Sequence, residues 1–411
     1  MRKLLSIVLA LAICLTAFGA MADIVLSSNK VEIDGALKEY AAVYESQSGK
    51  KVTIDTVGGG ADYSATVKTA LQSGAMPDIF VIEGPSGYEI WKDYIADLSD
   101  QPWVADTDVA YKVDGNVIGF PVAIEGYALA YNADILAKAG VDPTALTNVN
   151  ALREAFAKID SQKADLGLDA VISMAASVGT GMTWVTGLHN FNVYLTGYLA
   201  YDDTSVIDAA LKGEVDKDRL TAYAEYVKLL FDYSDQAVLT TGNYDAQVHA
   251  FATGKTAFFH QGNWTDPNLA AENVTFEIGY APHAFLPEDT DNIFISPPSW
   301  YVVNSQSANI DEAKAFLTAM ATTPEGHKYI VETAGMVPAF KSVTEKPTGP
   351  LSIAVMEASV AGKIFNWQQY KLPDGFGMNT LGPIYELLAN GTLDTAAFVQ
   401  MVTDAIATIP Q

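Results

Sequence analysis

Three short segments constrain this chain more than any other feature, because each joins a buried-strand pattern to a polar or aromatic group at its end. They are Met76–Gly84 (MPDIFVIEG), Phe120–Tyr127 (FPVAIEGY) and Gly254–Trp264 (GKTAFFHQGNW). An unbroken apolar run such as Ala257–Phe259 is the pattern of a strand covered on both faces of a sheet. It predicts a strand over Thr256–His260, followed by a turn that sets the Trp264 indole just past the strand's carboxyl end. In the other two segments Glu83 and Glu125 follow the run and precede a glycine. Ligands of open α/β sheets bind beyond the carboxyl ends of the strands. Carboxylates that accept hydroxyl hydrogen bonds, set beside flat indole faces, suit the holding of a polyol.

Around these segments the periodicity alternates. A helix is predicted over Val31–Ser48, stopped by Gly49, then a strand over Lys51–Val57 and a Gly58–Tyr63 loop. A helix over Ser64–Ser73, a strand over Ile79–Ile82 and a helix over Tyr88–Leu98 follow. Further helices are predicted at Ala133–Ala139, Val149–Asp160, Lys217–Asp232, Tyr244–Thr253, Ile310–Ala321 and Thr395–Thr408. The β-α-β-α order predicts an α/β fold with mostly parallel sheets. With 411 residues there is chain for two sizeable cores. No proline- or serine-rich linker separates them, so the chain is expected to pass between lobes through strands, with Tyr131-Asn132 as one crossing.

The first 22 residues read as a signal peptide: charged Arg2 and Lys3, an apolar stretch Leu4–Leu15, and the small-x-small site Ala20-Met-Ala22. Mature protein is expected to begin near Asp23. Cys14, the sole cysteine, lies in the apolar stretch after the bulky Ile13. That argues against a lipid-anchored cysteine, and the mature chain then has no thiol chemistry or disulfide framework. The formal net charge is −25, and it becomes two units more negative without Arg2 and Lys3. Such a charge excludes nucleic-acid binding by phosphate neutralisation and adhesion to anionic membranes.

Catalytic and cofactor signatures fail on inspection. Gly254-Lys-Thr256 resembles the end of a phosphate-binding loop, but His249 stands where the first glycine belongs. His189, His249, His260, His283 and His327 show no metal-ligand spacing. Asp106–Asp108 lacks the third ligand and glycine of a calcium loop, and there is no nucleophile elbow. No cofactor and no metal are expected.

Four groups of residues resemble the bacterial extracellular solute-binding proteins of ABC importers, in the branch that takes up maltodextrins and other oligosaccharides. They are Pro77–Phe80; Pro121–Asn132 continuing through Ile135–Gly140; Phe251–Ala257 with Gly262–Trp264; and Ala313–Leu317 with Thr323–Gly326 and Gly335–Pro338. The chain departs from that pattern at Leu26–Asn29, where members often carry a tryptophan. The resemblance implies a periplasmic binding protein-like fold, two α/β lobes joined by a multi-strand hinge with the ligand cleft between them. By analogy the first lobe holds residues 23–124 and 280–321, and the second 125–279 and 322–411. It also implies a monomeric, non-catalytic protein of the periplasm that delivers a sugar to the transmembrane permease subunits of an ABC transporter.

Carried over residue by residue, Glu125 and Trp264 fall on sugar-contacting positions, Glu83 lies beside one, and Tyr194 aligns with another. Asp62 and Tyr63 in the glycine-rich loop, and Trp184, Trp300 and Trp367, complete the candidate ligand-binding set, whereas Trp91 and Trp103 are expected to pack in helices or loops. Two rival readings share these residues. Glu83, Glu125 and Asp62 could serve as counter-charges for a polyamine or other small cation, or two carboxylates could serve a secreted glycosidase.

Overall fold

The computed structural model describes residues 23–410; the expected signal peptide and Cys14 lie outside the described residues. Two six-stranded sheets organise the chain. The first holds β1 (Ile24–Ser28), β2 (Val52–Thr56), β3 (Ile79–Ile82), β4 (Tyr111–Val113), β5 (Asn116–Pro121) and β11 (Trp300–Val303), in the order β2-β1-β3-β11-β5-β4. The second holds β6 (Glu125–Asn132), β7 (Ile172–Ser173), β8 (Phe258–Gly262), β9 (Ile278–Ala281), β10 (Ile293–Ser296) and β12 (Ile364–Phe365). Its order is β12-β10-β6-β8-β7, with β9 also on β6.

The sheets are mixed rather than mostly parallel. β1 is parallel to β2 and β3, but β11 runs antiparallel to β3 and β5. In the second sheet β6 is antiparallel to β8, β9 and β10. The reason is connectivity. β6 carries the chain out of the first lobe and β11 carries it back, so each runs against strands already in place. The outward crossing is the short link from Pro121 to Glu125, not Tyr131-Asn132; Asn132 instead caps the Ala133–Ala139 helix by accepting the Ile135 N–H.

The expected return to the first lobe at 280 also comes later. β9 and β10 pair with β6, so the chain stays in the second lobe until Ser296. Tyr329, Ile330, Val331, Phe340 and Val343 then pack in the first-lobe core with Tyr40, Phe316 and Phe120, which moves 322–343 out of the second lobe where the sequence put it. A third crossing lies between Val343 and Pro350, and Val337 joins the hinge, bridged to Ile124 and packed with Ala128, Ile293 and Val355.

Local sequence accounts for most helices. Gly49 ends Asp34–Ser48 in the left-handed region, φ 71°, where a side chain would be strained. Asp62, Asn148, Asp216, Asn243 and Asp394 accept hydrogen bonds from helix N-terminal N–H groups, each supplying an orphan donor with a partner. The predicted Tyr88–Leu98 helix is displaced: the helix spans Gly84–Trp91, started by Pro85 in its first turn, and one 3₁₀ turn follows it. Among the described residues no helix is long and apolar enough to cross a membrane.

Candidate ligand-binding cleft

A cavity of about 340 Å³ lies between the lobes, lined from both. The first lobe contributes the turn after β1 (Asn29–Glu32), the glycine loop and helix start (Gly58–Ala65), and the segment after β3 (Glu83–Trp91). The second contributes Glu125, Trp184, His189, Tyr244, Trp264 and the loop Gln369–Asn379. The lobes are in contact around its rim. Lys68 Nζ lies 2.7 Å from Asp374, and a Cβ on Gly181 would fall 2.3 Å from the Gly60 carbonyl oxygen. Tyr370 O–H donates to Glu83 at 3.4 Å. These contacts describe a closed cleft.

Trp264 sits in a 3₁₀ turn, Asn263–Thr265, immediately after β8. β8 begins two residues later than the sequence pattern predicts, and Gly262 is its last residue. That glycine is required by the indole, which folds back over it: a Cβ at 262 would lie 2.0 Å from the indole Cζ3. The indole N–H donates to Gln261 Oε1 at 3.0 Å, and the ring packs on His189 with centroids 5.0 Å apart. Trp184 lies 6.4 Å from Trp264 and 6.0 Å from Tyr244. Trp264, Trp184, His189 and Tyr244 thus form one aromatic wall on the second lobe.

Glu125 is buried, and its two oxygens lie 2.6 and 2.8 Å from Lys30 Nζ, an ion pair joining the β1 turn to the start of β6. Burial pulls the Lys30 pKa down, but Glu125, Glu32 and Glu83 together overcome it and hold the ammonium above the ordinary lysine range. Glu83 Oε1 accepts from Asn29 and Tyr370. Burial pushes its pKa up, more than Lys30 and these hydrogen bonds bring it down. Glu32 is raised to about 7, by burial first and by the charge of Glu125, against the pull of Lys30.

Asp62 and Tyr63 line the cavity, but their polar groups are engaged in the first lobe. Asp62 accepts the Ala65 N–H at 2.9 Å as a helix cap. The Tyr63 hydroxyl donates to the Ser27 carbonyl and accepts the Val81 N–H, both at 2.9 Å. It bridges β1 and β3 where their register leaves a single paired position.

Three sequence candidates are not on the cavity wall. Trp300, the first residue of β11, lies in the first-lobe core against Tyr111, its N–H on the Val109 carbonyl. Tyr194 is buried in the second-lobe core beneath Arg219. Trp367 is buried behind the aromatic wall, edge-on to Trp264 at 6.1 Å. Each is an aromatic consumed by packing. The opposite correction applies to Trp91, expected to pack only: it is buried against Phe80 and also borders the cavity.

Sequence reasoning missed Lys30, Glu32, Tyr244, Tyr370 and Gln369. A lysine in a turn is ordinarily solvated, so no local signal marks Lys30. Among the described residues no His, Cys, Asp or Glu cluster could hold a metal ion.

A model of a family described as bacterial extracellular solute-binding protein matches residues 39–354. No curated protein sequence matches the chain. Among solved structures, a Bacillus licheniformis sugar transporter in complex with stachyose is 19% identical and has a TM-score of 0.76, covering 95% of this chain and 100% of its own. A chitin oligosaccharide binding protein is 18% identical with a TM-score of 0.76, covering 94% of this chain and 98% of its own. The GacH receptor of Streptomyces glaucescens, solved unliganded and with acarbose, is 17% identical with a TM-score of 0.71, covering 94% and 98%. At these identities the likeness is one of fold.

Proposed function

The chain belongs to the family of bacterial extracellular solute-binding proteins, and from that premise we propose that it is the sugar-capturing component of an ABC importer. The observation that carries this reading is the cleft itself. A cavity of about 340 Å³ closed between two lobes is at the small end of the range that buries a small ligand, about 300–1,000 Å³. One wall is aromatic and the other carries carboxylates. Indole and phenol rings cover the apolar face of a pyranose, and carboxylates accept its hydroxyls.

In this reading saccharide binds the open protein on the Trp264–Trp184 wall, and closure adds the first lobe's groups. The ligand shifts the equilibrium only by its greater affinity for the closed form. The closed protein then meets the permease subunits in the inner membrane from the periplasm, and other subunits hydrolyse ATP. The fold similarity to proteins solved with stachyose and acarbose supports the saccharide class.

A thermal-shift screen of mono-, di- and oligosaccharides tests the reading. A ligand at a hundred times its dissociation constant stabilises by about 2.7 kcal/mol. One or more saccharides should raise Tm, and none should be hydrolysed. Turnover of an aryl glycoside, or a screen in which only non-carbohydrates stabilise, would overturn it.

A further inference from the structure

Seven charged side chains line the cavity: Lys30 and Lys68 against Glu32, Asp62, Glu83, Glu125 and Asp374. Both cations are already paired, Lys30 with Glu125 and Lys68 with Asp374, and Asp62 caps a helix. Two carboxylates are left over. Glu83 has hydrogen bonds from Asn29 and Tyr370 on one oxygen. Glu32 makes no side-chain hydrogen bond or ion pair to another described residue, and it borders both the cavity and the small hollow between Trp264 and Lys30. Burial first, and the charge of Glu125, raise its pKa to about 7 against the pull of Lys30. Among the described residues the cavity's two lysines are both engaged, Lys30 with Glu125 and Lys68 with Asp374, so Glu32 has no ion-pair partner of its own.

We propose that the saccharide taken by this cleft carries a basic nitrogen, an amino sugar whose ammonium group is received by Glu32 against the Trp264–Trp184–Tyr244 wall. The proposal rests on the saccharide reading given above and narrows it. An ammonium next to Glu32 supplies the missing counter-charge, and aromatic faces attract a cation as well as a sugar ring. An independent feature of the same wall fits a ligand rich in hydroxyls and amines. Gln369 lines the cavity at 1% exposure, and neither its amide N nor its amide O has a hydrogen-bond partner. Asn29 Oδ1, from the opposite lobe, is likewise without one. Such groups are costly to bury unsatisfied, and hydrogen bonds from a ligand that reorients the two amides would relieve that cost. The same charges exclude uronic acids and sugar phosphates.

The test is calorimetric titration of the mature protein at neutral pH with three disaccharides of one linkage: the glucosamine form, its N-acetylated form and the plain glucose form, with putrescine as a fourth titrant. The free amine should bind about tenfold or more tighter than either neutral disaccharide, the scale of a charged over a neutral hydrogen bond. The advantage should shrink with added salt and disappear in Glu32→Gln, in which the amine and neutral forms should bind with equal affinity. Equal or weaker binding of the amine form overturns the amino-sugar proposal and leaves the saccharide reading standing. Tight binding of putrescine with none of the disaccharides overturns the saccharide reading, and binding of none of the four counts against both.

Discussion

Gly262→Ala is a one-methyl test of how the aromatic wall is built. The backbone at 262 has φ −111° and ψ −178°, an extended conformation open to any residue, so the substitution carries no backbone strain. Its whole effect is steric. The new Cβ would lie 2.0, 2.4 and 2.5 Å from Cζ3, Cη2 and Cε3 of Trp264, inside any real contact distance. The indole must swing away, breaking its hydrogen bond to Gln261 and its packing on His189. A hydrogen bond of this kind is worth about 0.5–1.5 kcal/mol and overpacking costs about 1–3 kcal/mol, so the ligand-free protein should lose about 2–4 kcal/mol. Urea unfolding reads the loss, tryptophan emission should shift to the red, and saccharide affinity should fall steeply because the wall is disassembled. Gly35→Ala is the matched control: nothing lies within 4 Å of its Cβ position, it is exposed within the Asp34–Ser48 helix, and it should stabilise by up to about 1 kcal/mol. Wild-type stability, emission and affinity in Gly262→Ala would refute the placement of the indole over that glycine.

Other expectations follow from the same geometry. Lys30→Met leaves the buried Glu125 carboxylate without its partner and should cost about 3–5 kcal/mol in urea unfolding, most of it restored by adding Glu125→Gln. Gly181→Ala puts a methyl 2.3 Å from the Gly60 carbonyl across the rim; it should act as a wedge, enlarging the radius of gyration of the ligand-saturated protein in X-ray scattering while leaving each lobe folded. The His260 ring accepts from His283, which accepts from the Tyr226 hydroxyl, a chain complete with both rings neutral. Burial lowers the His260 pKa to about 4 from an ordinary 6.5, so this contribution to stability is present above pH 6.5 and is lost as pH falls toward 4. Relative to His260→Gln, the wild type should therefore lose about 3 kcal/mol across that window, whereas parallel curves would remove the histidine from the acid response.

Much of the architecture is legible in the chain because local and tertiary demands agree there. The strand Ile79–Ile82 and the helices Ala133–Ala139, Val149–Asp160 and Lys217–Asp232 fall where periodicity and capping residues put them. Strand direction is not legible, since an apolar run such as Phe258–Phe259 looks the same whichever way its neighbour runs. The cleft is half legible for a related reason. The positions of Glu83 and Trp264 just past strand ends could be read, but Glu125 opens β6 instead of closing a strand, and what each group touches could not be read. Trp300 also stands at a strand end, yet Tyr111 captures its ring. Lys30 reaches Glu125 across 95 positions of sequence, and only the fold brings them together. The helix at Pro350–Ala361 escapes notice because it is apolar on most faces, with Val360 91% exposed, and so lacks a helical stripe.

A crystal structure of the mature protein with the tightest saccharide from the thermal-shift screen is the most direct test of the central claim. A pyranose face should lie against the Trp264 indole, with Trp184 and Tyr244 beside it. First-lobe groups from Asn29–Glu32 and Glu83 should hydrogen-bond the same sugar, and the rim contacts Lys68–Asp374 and Gly60–Gly181 should be retained. A saccharide bound on the outer surface, or held in the cleft by one lobe without touching Trp264, would contradict the account.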